Sequence, residues 1–399
     1  MKKETLYEAI GDIDEKYICE ARSRKNIWPK LVAFAASAAI IIGVSAVALT
    51  QIQQGVTEEL PLLTIGEDSK VGYGFEGYMA HDISELVSGN PWSESDKITS
   101  LPVYKNPLSY DEDYIAHGGS FDNMREFLLE IVGRLGLDTN SVEITDNTPT
   151  EEEIAQITEK FGGVVPEGYF DATAVIAEYD GIRIEVDLSM TATIFFDLPV
   201  ELPEQYSFSK YATYEDFEKV ADYLKEEYRS LIGGENPQAN IYGGDYNTYG
   251  EQNYQLEFFD GSGDTVNRII NFNFNRTAFY SNSDGKLYMA RVYQPDLSEK
   301  VGDYPIISVE KAKELLLNGN YITSCPCDFP GEEYIAKVEL GYRGGPREQY
   351  FMPYYRFYVE LPNMDMGSEN GCKTYGVYYV PAVEEKYISD MPVWDGSFN

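Results

Sequence analysis

Hydrophobic positions along this chain follow three rhythms. The first is unbroken: Leu31 to Thr50 is twenty residues without a charge. At about 1.5 Å per residue that run spans roughly 30 Å, the depth of a bilayer's hydrocarbon core, and it predicts a single N-terminal transmembrane helix. Trp28 precedes it, with Arg22, Arg24, Lys25 and Lys30 on the same side, and the first charges beyond it are Glu58 and Glu59. This asymmetry predicts a cell-membrane protein with its N-terminus cytoplasmic and its C-terminal bulk extracellular. A cleaved signal peptide is the rival reading, but the leader is long and the run exceeds the roughly 7–15 apolar residues of a signal core.

The second rhythm has the helical period. Leu6, Ile10, Ile13 and Tyr17 predict a short amphipathic helix in the tail, suited to docking on a cytoplasmic partner or on lipid. Phe121, Met124, Leu128, Ile131 and Leu135 share a face of a helix from Phe121 to Leu137. Another helix follows Thr150, whose hydroxyl and Glu153 form a capping box. Further helices are expected at Tyr214–Leu231 and Val309–Leu317, the last capped by Ser308.

The third is the strand period. Ala172–Glu178, Ile182–Leu188 and Ala192–Phe196 read as strands, the first two joined by an Asp180-Gly181 turn. Tyr254–Phe259, Arg268–Phe274 and Leu287–Tyr293 follow, with Asp284-Gly285 as a hairpin turn, and then Ile335–Tyr342, Tyr354–Leu361 and Thr374–Val380. Helix followed by antiparallel meander, three times over, predicts an α+β fold with helices laid on sheets. The resulting division is a tail (1–30), a membrane helix (31–50), a stalk or irregular segment (51–100), one lobe (101–205) and a second lobe (206–399).

Charge sharpens this picture. The net charge is −36, yet the first fifty residues hold seven Lys/Arg against six acids, so the excess falls on the remainder. Such a surface repels phosphate backbones, and nucleic acid is not an expected partner. The 33 tyrosines suit half-buried strands first and binding grooves second. Of four cysteines, Cys19 precedes the membrane run. Cys325, Cys327 and Cys372 follow it, and a disulfide from Cys372 to one of the other two is an open alternative to free thiols. Ala35, Ala39 and Gly43 line one face of the membrane helix, which reads either as a helix-contact face or as the chance row of an alanine-rich segment.

Two resemblances add to the residues. LYEAIGDIDEKYICEA (Leu6–Ala21), with the basic residues and anchor after it, resembles the N-termini of membrane proteins of Gram-positive anaerobes, some of them anti-sigma-factor-like. IISVEKAKELLLNG, AKVELGYR and YFMPYYRFYVEL, within Ile306–Leu361, resemble the extracytoplasmic lobes of YycH/YycI-type membrane regulators and, more loosely, PepSY-type modules. The latter resemblance marks a unit at about 301–399. It implies action by contact with a membrane sensor kinase, without catalysis; the leader points instead to a sigma-factor system.

Catalytic motifs do not hold together. Gly72, Gly74 and Gly77 spell a dinucleotide fingerprint without its strand and helix. Ser207 with Lys210, and Ser308 with Lys311, spell SxxK, but the KTG element is interrupted at Lys373-Thr374-Tyr375-Gly376. His81 and His117 are the only histidines, and Asp260-Gly-Ser262-Gly-Asp264 lacks the glycine and the closing glutamate of a calcium loop. No catalytic residue, cofactor or metal ligand is therefore expected. The leading expectation is a membrane-anchored extracytoplasmic regulatory or sensory protein acting through protein contacts in the cell envelope. The alternative is an envelope ligand-binding domain for glycan or peptide, using Tyr354, Tyr355 and Tyr358 as exposed stacking rings. A less favoured third is an envelope hydrolase that depends on an acid or a serine.

Overall fold

In chain order, β1 (Gly77–Ala80) and β2 (Ser100–Lys105) precede helix α1 (Phe121–Arg134). Then come β3 (Ile144–Asp146), α2 (Glu151–Lys160), β4 (Ala174–Tyr179), β5 (Ile182–Asp187) and β6 (Thr191–Val200). α3 (Tyr214–Glu227) and the short α4 (Arg229–Ile232) lead into β7 (Pro237–Tyr246), β8 (Gln252–Asp260), α5 (Thr265–Phe274), β9 (Arg276–Ser281) and β10 (Leu287–Tyr293). The order ends with β11 (Lys300–Pro305), α6 (Val309–Leu317), β12 (Ile322–Thr323), β13 (Ile335–Tyr342), β14 (Tyr350–Phe351), β15 (Pro353–Glu360) and β16 (Lys373–Pro381). This computed structural model describes residues 59–66, 70, 74–109, 118–163, 165, 168–364, 366 and 371–396. The run Leu31–Thr50 with Ala35, Ala39 and Gly43, the tail helix with Leu6, Ile10, Ile13 and Tyr17, and His117 lie outside the described residues. Among the described residues no helix is long and apolar enough to cross a membrane.

Two meanders, β3–β6 and β7–β10, join through antiparallel pairing of β6 with β10 into one eight-stranded sheet. The boundary expected at 205/206 therefore falls inside a sheet. The periodicity marks each meander but carries no sign of which strand edge meets which. Helices α1, α3 and α4 cover one face of this sheet, because their apolar stripes match its alternating apolar positions. Met124, Leu128 and Ile131 of α1, Val220 and Leu224 of α3 and Leu231 of α4 pack with Val175, Ile184, Ile194, Leu256 and Phe258. Burying each such side chain contributes about 1.5–3 kcal/mol against the entropy of ordering it.

The second sheet runs β1-β16-β15-β13, with β12 added on β16, and all its pairings are antiparallel. Helix α6 covers one face, packing Val309, Ala312, Leu315 and Leu316 on Tyr355, Phe357, Val359, Tyr378 and Val380. β11, β2 and β14 form a small third sheet. Strand β1 and fully buried Leu63 belong to the segment 51–100 expected as a stalk. Four residues among glycines and serines are too few for a visible alternation, and the strand exists by pairing with β16.

One segment read as a strand is a helix. Arg268–Phe274 alternates apolar with polar over Ile270, Phe272 and Phe274, which mimics a period of two. Asp264 overrides it by accepting the Asn267 N–H as N-cap, and α5 begins there. DGSGD is thus the lead-in to a helix. α5 joins the two sheets: Ile269 enters the second core, Phe272 meets Phe259 edge-on, and the Asn273 side-chain oxygen accepts from Tyr342 N.

Candidate functional site

Strand alternation makes the second sheet two-faced. Tyr355, Phe357 and Val359 point to α6, so Tyr354, Arg356 and Tyr358 point the other way, where β7, β8 and β9 of the first sheet face them. Between the two sheets lies a cleft of about 360 Å³. The segment 81–90 straps across it. Val87 pairs with Gly243 of β7, the Asn240 side chain accepts from Gly89 N, and the Asn90 side chain donates to Leu340 O of β13. On its far flank the strap borders a wider groove of about 580 Å³ along Tyr214, Glu218 and Ala221 of α3.

Arg356 organises the second-sheet wall. Its guanidinium pairs with Glu76, donates to the Tyr78 hydroxyl at 2.9 Å, and lies 3.9 Å from Glu339. It also sits 4.7 Å over the Tyr358 ring, 5.9 Å over Tyr78 and 6.0 Å over Tyr379. Burial works against its charge, but Tyr379, Tyr358 and Glu76 around it more than offset that, and Arg356 stays charged. The Tyr358 hydroxyl donates to Glu339, which also pairs with Lys337 at 2.8 Å. Burial pushes Tyr78 up to about 12 and raises Tyr354, Tyr358 and Tyr379 as well, so the wall presents neutral hydroxyls that can donate or accept.

The first-sheet wall is built the same way. Glu257, 5% exposed, accepts from Asn240 at 2.8 Å and pairs with Arg276 at 3.4 Å. The Tyr242 hydroxyl donates to Gln255 at 2.7 Å. Beyond Tyr242 the strand bulges between Gly243 and Asp245, and Asp245 enters the lining. Burial raises the Asp245 carboxyl above its ordinary value.

Five buried side-chain polar atoms among the described residues lack a well-formed hydrogen bond, and four of them belong to residues lining this cleft: Arg276 Nε, Arg356 Nε, Glu339 Oε1 and the Tyr354 hydroxyl. Glu339 Oε1 still has Lys337 as an ion-pair partner, and the Tyr354 hydroxyl has the Arg343 guanidinium within reach. Native interiors leave few such atoms, and their concentration in one place leaves this network with unused hydrogen-bonding capacity.

The tyrosines singled out as exposed stacking rings are 1%, 3% and 6% exposed at Tyr354, Tyr355 and Tyr358. Tyr354 and Tyr358 line the cleft, while Tyr355 leaves it and donates to Ile307 O beneath α6. Alternation along β15 separates them, and the sheet's two covered faces explain their burial. The three described cysteines, Cys325, Cys327 and Cys372, are free. Cys325 packs against Gly376 and Cys327 approaches Tyr378, whereas Cys372 lies ahead of β16. Four extended residues span ~13 Å, beyond the ~7 Å between Cα atoms that a disulfide tolerates. His81 stands at the exposed start of the strap, its Nε2 3.8 Å from Cys372 Sγ. Ser308 caps α6 as expected, accepting from Lys311 N. No group of three or more His, Cys, Asp or Glu among the described residues is placed to hold a metal ion. Arg356, Glu76, Glu257, Arg276 and Asp245 carried no motif. The one local signal was Gly243-Gly244-Asp245, a glycine pair interrupting an apolar strand.

No family model matches this chain, and no curated protein matches it. Among solved structures, that of an uncharacterized protein from Eubacterium rectale ATCC 33656 is similar at 11% identity, covering 72% of this chain and 84% of that one, with a TM-score of 0.31. No inference rests on a likeness of that size.

Proposed function

We propose that this chain is a membrane-anchored extracytoplasmic binding protein of the cell envelope, whose inter-sheet cleft takes a small polar ligand without transforming it. The observation that carries the reading is the gathering of four incompletely bonded polar atoms around one cleft walled by tyrosines, arginines and carboxylates. Anchoring rests on the charge-free run Leu31–Thr50 and its basic N-terminal flank. The test is a titration of the purified full-length protein with glycan and peptide fragments of the envelope, followed by thermal shift. Stabilisation that is lost in Arg356→Met and kept in Phe161→Ala supports the cleft. No shift with any fragment counts against it.

A second reading, regulation through contact with a membrane sensor kinase or a sigma-factor system, is favoured by α2. That helix has apolar Ile154 and Ile157 yet buries no residue, and exposed Phe161 and Tyr169 stack edge-on beside it. Crosslinking in the native membrane that captures such a partner, and loses it on Phe161→Ala, supports this reading. The two are compatible: a ligand in the cleft is what such a partner would be told about.

A further inference from the structure

Reading the cleft as a ligand site leaves the ligand's charge open, and Asp245 decides it; the inference that follows rests on that reading. Gly243 and Gly244 have φ of +108° and +94°. A side chain at Gly243 would run into the Asn253 carbonyl, and one at Gly244 into the Glu85 carbonyl of the strap. The bulge is therefore pinned on both sides, by β8 and by the strap, and it holds Asp245 in the cleft wall.

The other two carboxylates of the lining are occupied. Glu257 has Asn240 and Arg276, and Glu339 has Lys337, Tyr358 and Arg356. Asp245 has no ion pair and accepts nothing from another residue among the described residues; only its own backbone N–H helps it. The lining thus sets Glu257, Glu339 and Asp245 against Arg276 and Arg356; behind it Glu76 adds a negative charge and Lys337 a positive one, which leaves one negative charge in excess. Tyrosine rings and hydroxyls fill the space between. An anion would add like charge to this excess, and a neutral polyol would donate hydrogen bonds to Asp245 but bring no counter-charge. A cation answers both needs, and the −36 net charge of the chain favours its approach.

We infer that the cleft takes a small cationic ligand, an ammonium or guanidinium group on a polar body, and that Asp245 is the carboxylate it pairs with.

The test is calorimetric titration of the full-length protein with 1,4-diaminobutane and with 1,4-butanediol, which match in length and differ in charge. The diamine is expected to bind at least tenfold more tightly than the diol. Asp245→Asn is expected to lose at least tenfold of diamine affinity with no fall in Tm, while Asp284→Asn, on an exposed turn, keeps it. Equal loss in both variants would mean diffuse attraction to an acidic surface and would overturn the inference. Diamine affinity unchanged in Asp245→Asn would overturn it too. If the diol, or the neutral envelope fragments, bind as well as the diamine, the cleft remains a ligand site and its cationic preference falls. If nothing binds, both fall.

Discussion

The Tyr379 hydroxyl lies 2.9 Å from each carboxylate oxygen of Glu76, locking a residue of β16 to the residue just ahead of β1, in front of Arg356. Removing that hydroxyl leaves Glu76 to Arg356 and Tyr78. Tyr379→Phe is expected to cost about 1–2 kcal/mol. Arg356→Met, which takes the ion-pair partner from Glu76 and leaves buried Glu339 to Lys337 and Tyr358, is expected to cost about 3 kcal/mol. Urea unfolding of both single variants and the double variant checks this, and the double is expected to cost less than their sum.

Asp245 predicts a gain. Its folded pKa is raised by burial above the ordinary 3.8. A raised carboxyl contributes stability that is present below its unfolded value and lost as pH rises through the folded value. At neutral pH the ionised group is therefore a burden, and Asp245→Asn is expected to melt at a higher temperature than the parent chain. The difference should shrink as pH falls toward 3.8. Paired melting curves across that range measure it, and an equal or lower Tm at neutral pH contradicts the assignment.

Gly244→Ala is expected to cost about 1–3 kcal/mol, since it combines a left-handed backbone with a collision at Glu85 O. The strap should loosen first, seen as faster hydrogen exchange at the Val87 and Gly243 amides, each of which now donates to the other residue's carbonyl, at 3.0 and 3.3 Å. Gly133→Ala is the counter-example. Gly133 lies inside α1 with open space where a Cβ would go, so the change should stabilise by about 0.5–1 kcal/mol.

The thiols report the strand geometry. Cys325 is fully buried, and burial pushes it up to about 11. Native protein treated with iodoacetamide near neutral pH is expected to remain unmodified at Cys325, while Cys327 and Cys372, both partly exposed, react slowly. Mass spectrometry of non-reduced digests should show no peptide joining Cys372 to Cys325 or Cys327.

Helices whose apolar stripe and cap agree were legible from the residues: α6 spans Val309–Leu317 with Ser308 as cap, and Thr150 and Glu153 form the capping box of α2. Strands with long alternation, such as β13 and β15, were legible too. β1, β7 and β11 were not, because glycine, proline or brevity breaks their alternation and only tertiary pairing makes them strands. The cleft was illegible for a related reason. Arg356 sits opposite Glu339 and Tyr379 by register, and Glu257 opposite Asn240, but register between strands is not written in either strand alone. Tyr354 and Tyr358 were singled out for their rings, and what they bring to the cleft includes their hydroxyls.

The pairing of β1 with β16, and the hydrogen bond from Ser389 to the Leu63 carbonyl across 326 positions, carry a consequence for the order of assembly. The first sheet can close once β10 exists, whereas the wall bearing Arg356 lacks its outer strand partner until β16 has been made. Closing so long a loop is entropically costly and late. Nascent chain stopped between β10 and β13 would carry Asp245, Glu257 and Arg276 on a finished sheet with nothing opposite them, and chain stopped after β15 would still lack Tyr379, so the complete wall arrives only with the last strand synthesised.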